Sequence, residues 1–214
     1  MLLRLFLSRR NEIRNTFNIT HDFDKLEESC LPSYTHNNIF LGWVAWRRLE
    51  TAARFFHLRP AKGDVLDFGS SSGELFHLLN VHGSRYWFIE NDELLATTLK
   101  KQIPDASRTT LDSIPPEKYE TIFALDSLEH NENIEPILIA LKYALARDGR
   151  IILSGPTENW IYKFGRTLSG FNGHYHKTTI AHIERLMERH FVRLRQTYIP
   201  FGLPIFSISV WVKR

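Results

Sequence analysis

Val65-Leu66-Asp67-Phe68-Gly69-Ser70-Ser71-Ser72-Gly73 is the stretch on which the reading of the chain turns. Val65 and Leu66 close a short apolar run, an acid follows, and every residue from Gly69 to Gly73 is small. Glu74-Leu75-Phe76-His77-Leu78-Leu79 then begins a helix-like pattern that Gly83 stops. The order is strand, tight small-residue turn, helix. Glycine in such a turn reaches backbone dihedrals closed to other residues and lets a ligand approach the main chain. The N–H groups that open the following helix have no partner within it and carry partial positive charge. In an open α/β sheet the crevice above the strand ends is where ligands bind.

The flanking sequence extends this unit. Residues 37–58 read as a helix, with Ile39, Phe40, Trp43, Trp46, Leu49, Ala53 and Phe56 on one stripe expected to be core, and Pro60 ends it. Tyr86-Trp87-Phe88-Ile89 is a second strand, closed by Glu90-Asn91 and followed by a helix with Asp92 and Glu93 in its first turn. Glu90 falls about twenty residues past the turn, the spacing at which a strand-end acid receives ribose hydroxyls, because a carboxylate can accept both hydrogen bonds of a vicinal diol. A third strand is expected over residues 109–113 and a fourth over Tyr119 to Asp126. A helix over Ile137 to Ala146 follows, with Asn133 as its cap and Arg147-Asp148-Gly149 as its stop. The fifth strand is Arg150 to Pro156. A helix from Thr179 to Phe191 and strands over 192–199 and 205–212 complete the chain. Thr157 to Lys177 is a long segment rich in aromatics, glycine and histidine, of the kind that is commonly functional.

The nine opening residues resemble motif I of the class I S-adenosylmethionine-dependent methyltransferases, apolar-apolar-acid-x-Gly-x-Gly-x-Gly, with Ser71 in place of the middle glycine. The resemblance, to members of types 11, 12 and 23, runs from about Ala61 to the C-terminus. It implies a three-layer, Rossmann-like α/β fold around a mostly parallel seven-stranded sheet whose last strand is antiparallel. Residues 1–60 would form an N-terminal helical cap and residues 61–214 the cofactor-binding domain. It further implies cofactor contacts from Asp67, Gly69, Ser70, Ser71 and Gly73, from Glu90 and Asn91, from Asp112 and Ser113 near the adenine, and from Asp126, with Tyr34, Thr35 and His36 close to the same pocket.

Asp126-Ser127-Leu128-Glu129-His130 is similar to the acid-x-x-Glu-His segment of ubiquinone-pathway O-methyltransferases and of small-RNA 2′-O-methyltransferases, with Asp126 for the usual glutamate. This implies His130 and Glu129 as catalytic residues and oxygen, ahead of nitrogen, as the acceptor atom. In some relatives the equivalent carboxylates and histidine hold a divalent metal, a set that Asp126, Glu129, His130 and one of His174 or His176 would supply here. Otherwise Asp126 lines the cofactor pocket while Glu129 and His130 cap the next helix. Gly69-Ser70-Ser71-Ser72-Gly73 also matches the Gly-x-Ser-x-Gly elbow of serine hydrolases, with Asp126 and a later histidine in the right chain order. No Gly-rich oxyanion loop precedes it, and Asp67 and Glu90 would be idle. A nicotinamide-binding Rossmann enzyme fits less well, since the third glycine of that fingerprint is misplaced. A methyltransferase-fold scaffold that binds without catalysing is the remaining alternative.

Composition sets the bounds. The chain has 214 residues, of which 43% are hydrophobic, enough for one domain with its own core. Its lone cysteine, Cys30, cannot form an internal disulfide, which is consistent with a reducing compartment, and a cytoplasmic protein is expected. No apolar run approaches the ~18 residues of a membrane span. The leading Met1 to Leu7 is broken by Arg4 and lacks the form of a signal peptide. Net charge is +3 and no five-residue basic run exists, so nucleic acid is not an expected partner. The arginine pairs, Arg9-Arg10 and Arg47-Arg48, are read as solvated helix faces. The expected partner is a small-molecule acceptor, apolar or sugar-bearing. Leu2, Leu3, Leu5, Phe6 and Leu7 beside Arg9-Arg10 make contact with a membrane surface a further expectation, set against packing on the domain.

Overall fold

The structure, a computed structural model, describes residues 2–17, 29–157, 159 and 178–214. Helix α1 (Leu2–Thr16) places Phe6 and Ile13 one above the other on its inner face, and Phe17 extends that stripe. A short helix α2 (Leu31–Tyr34) leads to α3 (Ile39–Leu58), whose N-terminus is capped by the Asn38 side chain accepting from the Phe40 amide at 2.9 Å. The stripe read from the sequence is buried from Trp46 through Leu49 and Ala53 to Phe56. Its first two members, Ile39 and Phe40, are exposed instead.

Seven strands form one sheet in the order β3-β2-β1-β4-β5-β7-β6, where β1 is Asp64–Phe68, β2 Tyr86–Ile89, β3 Ser107–Arg108, β4 Tyr119–Leu125, β5 Leu145–Pro156, β6 Phe191–Ile199 and β7 Phe206–Lys213. The first five strands pair in parallel, and β7 runs antiparallel to both β5 and β6. Helices connect the strands: α4 (Phe76–Leu79), α5 (Glu93–Gln102), α6 (Ile134–Ala144) and α7 (Ile180–His190). Because side chains alternate along a strand, each strand feeds two cores. Val65, Phe123 and Ile152 point into a core shared with α1, α3 and α5, through Phe6, Trp46, Phe56 and Leu99. Leu66, Ile122 and Ile151 point into a second, packed by Leu138, Leu141, Ile183 and Met187 of α6 and α7. The fold is the expected three-layer α/β arrangement with an antiparallel seventh strand.

Several boundaries differ from the sequence reading. The helix expected from Glu74 to Val81 contracts to four residues, because Asn80 turns left-handed at φ 52° and ends it. The third strand is the residue pair Ser107–Arg108, and reciprocal capping between Thr110 and Ser113 turns the expected strand over 109–113 into a 3-10 turn, Leu111–Ser113. Helix α6 stops at Ala144. Asp148-Gly149 lies in a bulge of β5, where the register steps from Tyr119↔Leu145 to Thr121↔Arg150. Asn133 sits at the N-cap of α6 without a side-chain cap bond. No helix among the described residues is long and apolar enough to cross a membrane.

Candidate functional site

The small-residue turn leaves β1 with Gly69 at φ 73°, and the amides of Gly69 and Ser70 both donate to the Ile89 carbonyl of β2, at 2.9 and 3.2 Å. A Cβ on Gly69 would lie 2.4 Å from the Cβ of Ser127, which follows β4, so only glycine lets these two strand ends approach this closely. Gly73 is also left-handed, at φ 84°. The substituted middle position, Ser71, holds φ 50°, which explains why glycine would be at ease there. Its amide donates to Glu90 Oε2 at 2.7 Å, and the Asp92 amide donates to Oε1 at 2.9 Å. Glu90 is therefore fixed beside the turn, at the end of β2, as its spacing implied. Relief of the left-handed strain predicts that Ser71→Gly stabilises the fold by about 1 kcal/mol, read as a rise in denaturant midpoint at unchanged slope.

Asp67 is buried at the end of β1 and accepts a short hydrogen bond from the Tyr86 hydroxyl of β2. Burial pushes its carboxyl up to about 7; the Tyr86 hydrogen bond opposes the rise and the neighbouring Glu90 adds to it. The native state thus holds a proton on Asp67 that the unfolded chain releases near pH 4, so this group's contribution falls as pH rises from about 4 to about 7. Asp67→Asn removes that loss. The stability of the variant relative to wild type is expected to improve by on the order of 4 kcal/mol between pH 4 and pH 8. Parallel denaturation curves at the two pH values measure it.

The remaining candidates stand along the same sheet edge. Asn91 is exposed after β2, and Asp112 and Ser113 are exposed on the 3-10 turn after β3. Asp126, left-handed at φ 50°, ends β4. Its Oδ2 lies 2.6 Å from Nη1 of Arg48 on α3, with both side chains buried, and the Arg48 guanidinium sits 4.5 Å over the Phe206 ring. Tyr34 packs edge-on against Trp46 at 5.4 Å. Burial pushes the Cys30 thiol up to about 11, with Arg48 opposing and Asp126 and Glu129 adding to the rise. Half-buried Cys30 and buried Tyr34, Arg48, Asp126 and Glu129 thus form one polar group between the N-terminal helices and the end of β4. Thr35 hydrogen-bonds the Leu31 carbonyl at 2.8 Å, and His36 Nδ1 accepts from the Asn38 amide at 3.0 Å. Glu129, fully buried, and His130, half-buried, occupy the 3-10 turn Leu128–His130. His174, His176 and the aromatic segment around them lie outside the described residues. Among the described residues no three His, Cys, Asp or Glu side chains are grouped to hold a metal.

Three arginines expected on solvated faces are integral to the site's framework. Arg9 is buried and forks onto Glu74, Nε to Oε2 and Nη2 to Oε1, both at 2.8 Å, while Nη2 also reaches Gln102 at 2.6 Å. Burial draws the Arg9 pKa down, and the Glu74 and Glu12 carboxylates more than offset it. Since Glu74 directly follows Gly73 and accepts from Ser72 Oγ at 3.1 Å, α1 is tied to the turn itself. Arg10, also buried, donates to the carbonyls of Thr35 and His36 at 3.4 and 2.7 Å. Arg48 is the third arginine so placed. Helical period held the signal: Arg9 lies between Phe6 and Ile13, and Arg48 between Ala45 and Ala52, each on a buried stripe.

Buried side-chain atoms without a hydrogen-bond partner gather at this edge: Ser70 Oγ, Ser71 Oγ, Asp126 Oδ1, Ser127 Oγ and Ser154 Oγ, from the ends of β1, β4 and β5. Buried polar groups are normally satisfied, so this group of orphans calls for a polar ligand. The unpartnered Ser71 hydroxyl gives no support to a serine nucleophile, which needs a base within hydrogen-bond reach. A left-handed glycine turn after β1, an acid after β2 and a polar strand-end crevice on this sheet order define the chain as a protein with the class I methyltransferase fold. The sequence matches the methyltransferase domain family over residues 44–196, and the chain belongs to that family, the S-adenosylmethionine-dependent methyltransferases. The fold is shared with a protein from Pyrococcus horikoshii OT3, at TM-score 0.68 and 13% identity over 86% of this chain and 96% of that one. It is shared too with magnesium protoporphyrin IX methyltransferase of Synechocystis PCC 6803 with bound SAH, at TM-score 0.65 and 15% identity over 83% and 88%. An N-methyltransferase from Bradyrhizobium japonicum WM9 in complex with S-adenosyl-L-homocysteine superposes at TM-score 0.64 and 13% identity over 79% and 87%. No curated protein sequence matches the chain.

Proposed function

We propose that the chain methylates an oxygen of a small molecule, a saccharide or a lipid-linked intermediate, with S-adenosylmethionine as donor. The observation that carries the donor site is the set of unsatisfied polar atoms beside the glycine turn, with Glu90 fixed at the end of β2. Two structures of the same fold are described with S-adenosylhomocysteine bound. Gly69, Ser70, Ser71 and Gly73 would present backbone to the methionine part, Glu90 and Asn91 would receive the ribose, Asp112 and Ser113 would flank the adenine, and Asp126 would close the pocket. When bound, the donor supplies a sulfonium methyl already activated for in-line displacement.

The protein's share is to orient the acceptor and to remove its proton. His130 is assigned the general base and Glu129, beside it in sequence and buried, the carboxylate that favours the imidazolium formed. The turn Leu128–His130, one residue beyond Asp126, supports this assignment. With radiolabelled donor and a panel of phenols, glycosides and prenyl-linked acceptors, His130→Ala is expected to lose about a hundredfold or more in turnover while S-adenosylhomocysteine affinity is kept. Unchanged turnover would remove His130 as the base, and methylation of nitrogen alone would overturn the oxygen reading.

A further inference from the structure

Asp126 is held by one carboxylate oxygen and left bare at the other. Oδ2 lies 2.6 Å from Nη1 of Arg48, whereas Oδ1 is buried without a hydrogen-bond partner. Both ends of this pair are fixed. The Asp126 amide donates to the Ser154 carbonyl of β5 at 3.1 Å, on a backbone that is left-handed at φ 50°. Arg48 donates from Nε to the Ala45 carbonyl at 2.9 Å, and its guanidinium lies 4.5 Å over the Phe206 ring and 5.9 Å over the Tyr34 ring. A planar guanidinium so anchored orients the carboxylate it grips, and that orientation decides where Oδ1 points.

Sheet register gives the surroundings. Phe68 pairs with Ala124, so Ser70 and Asp126, each two residues further on, stand level at neighbouring strand ends. On the other side Leu125 pairs with Ser154. The bare oxygen therefore shares this edge with the hydroxyls of Ser70, Ser127 and Ser154, each likewise buried and unpartnered. The chemistry of the set selects a ligand group. A carboxylate oxygen only accepts, and each hydroxyl accepts as well as donates. A primary ammonium brings three donors and no acceptor, so it satisfies Oδ1 together with neighbouring hydroxyls. A ligand carboxylate would be repelled by Asp126, and a single hydroxyl would leave most of the set bare.

We propose that Arg48 is a positioning residue for donor binding: it holds Asp126 so that Oδ1 receives the α-ammonium group of the donor's methionine part. The inference rests on the donor reading above and adds to it a residue of the N-terminal helices that itself touches no cofactor. A purely structural role makes a different forecast. If the pair only closed α3 onto the sheet, loss of Arg48 would weaken every ligand of the crevice alike.

Isothermal titration of the full chain with S-adenosylhomocysteine and with its desamino analogue, which lacks only the α-ammonium group, separates the two. Wild type is expected to bind S-adenosylhomocysteine at least about tenfold more tightly than the analogue, the ordinary effect of a hydrogen bond to a charged group. Asp126→Asn is isosteric and tolerates the left-handed backbone, but with its amide oxygen toward Arg48 it turns an NH2 donor toward the ammonium. Its preference should fall to about parity, with affinity for the analogue kept. Arg48→Leu should lose the preference in the same way. Arg48→Lys, which keeps the charge but not the planar fork, should show a preference between those of wild type and Asp126→Asn. If Arg48→Leu does not fold, Arg48→Lys and Asp126→Asn still decide. Arg48 variants that weaken both ligands by the same factor would overturn the proposal, as would a wild type that binds the two equally. A wild type that binds neither would overturn the donor reading itself, so the two failures are told apart.

Discussion

Gly69→Ala is expected to weaken S-adenosylhomocysteine binding by about a hundredfold or more and to destabilise the fold by about 2–5 kcal/mol. Two costs combine. A side chain at φ 73° is strained by about 1–2 kcal/mol, and the new Cβ meets Ser127 Cβ at 2.4 Å. Ser127 cannot retreat alone, because it follows Asp126, which is itself left-handed, buried and paired to Arg48. Relief must come from parting the ends of β1 and β4, which opens the crevice where the cofactor would lie. Gly202→Ala is the control. Its φ, 81°, imposes the same strain, yet nothing among the described residues stands within 4 Å of the added methyl. It should cost about 1–2 kcal/mol and leave cofactor affinity unchanged. Isothermal titration of both variants separates steric closure of the site from backbone strain.

Arg9→Met is expected to cost about 3–5 kcal/mol, because it leaves the Glu74 carboxylate buried without its guanidinium. At this chain length that is a fall in melting temperature of roughly 6–20 °C. The loss is due to an uncompensated charge, so replacing both partners, Arg9→Met with Glu74→Met, should recover much of it. Cofactor affinity should follow the same order, wild type, double variant, single variant, since Glu74 directly follows Gly73 and shares the Ser72 hydroxyl. Equal melting temperatures for wild type and Arg9→Met would mean that α1 is not latched to the turn.

The parts of this fold that were legible in the sequence are those where one residue type answers one local demand. Small residues between Gly69 and Gly73 marked the turn, the spacing to Glu90 marked its partner strand, and short apolar runs marked the sheet. The turn, Glu90 and Asp126 stand together on one edge as the motif implied. The errors came where local pattern competes with tertiary contact. Arg9, Arg10 and Arg48 were read as surface because arginines are usually solvated. Each sits on a buried helical face and finds a carboxylate or carbonyl from an element remote in sequence, which no window of local sequence contains. The reverse error fell on Ile39 and Phe40, apolar and in phase with the core stripe yet beyond the end of the surface that covers it. The left-handed Asn80 and the Thr110–Ser113 capping box shortened a helix and a strand by local hydrogen bonding, which periodicity does not detect.

A thermal melt with S-adenosylhomocysteine, with NAD⁺ and with no ligand tests the central claim most directly. A ligand at about 100 times its dissociation constant stabilises the native state by about 2.7 kcal/mol, a shift of several degrees for a chain of this size. The account predicts a rise with S-adenosylhomocysteine and none with NAD⁺. A folded protein whose transition S-adenosylhomocysteine leaves in place, or NAD⁺ alone raises, would contradict it.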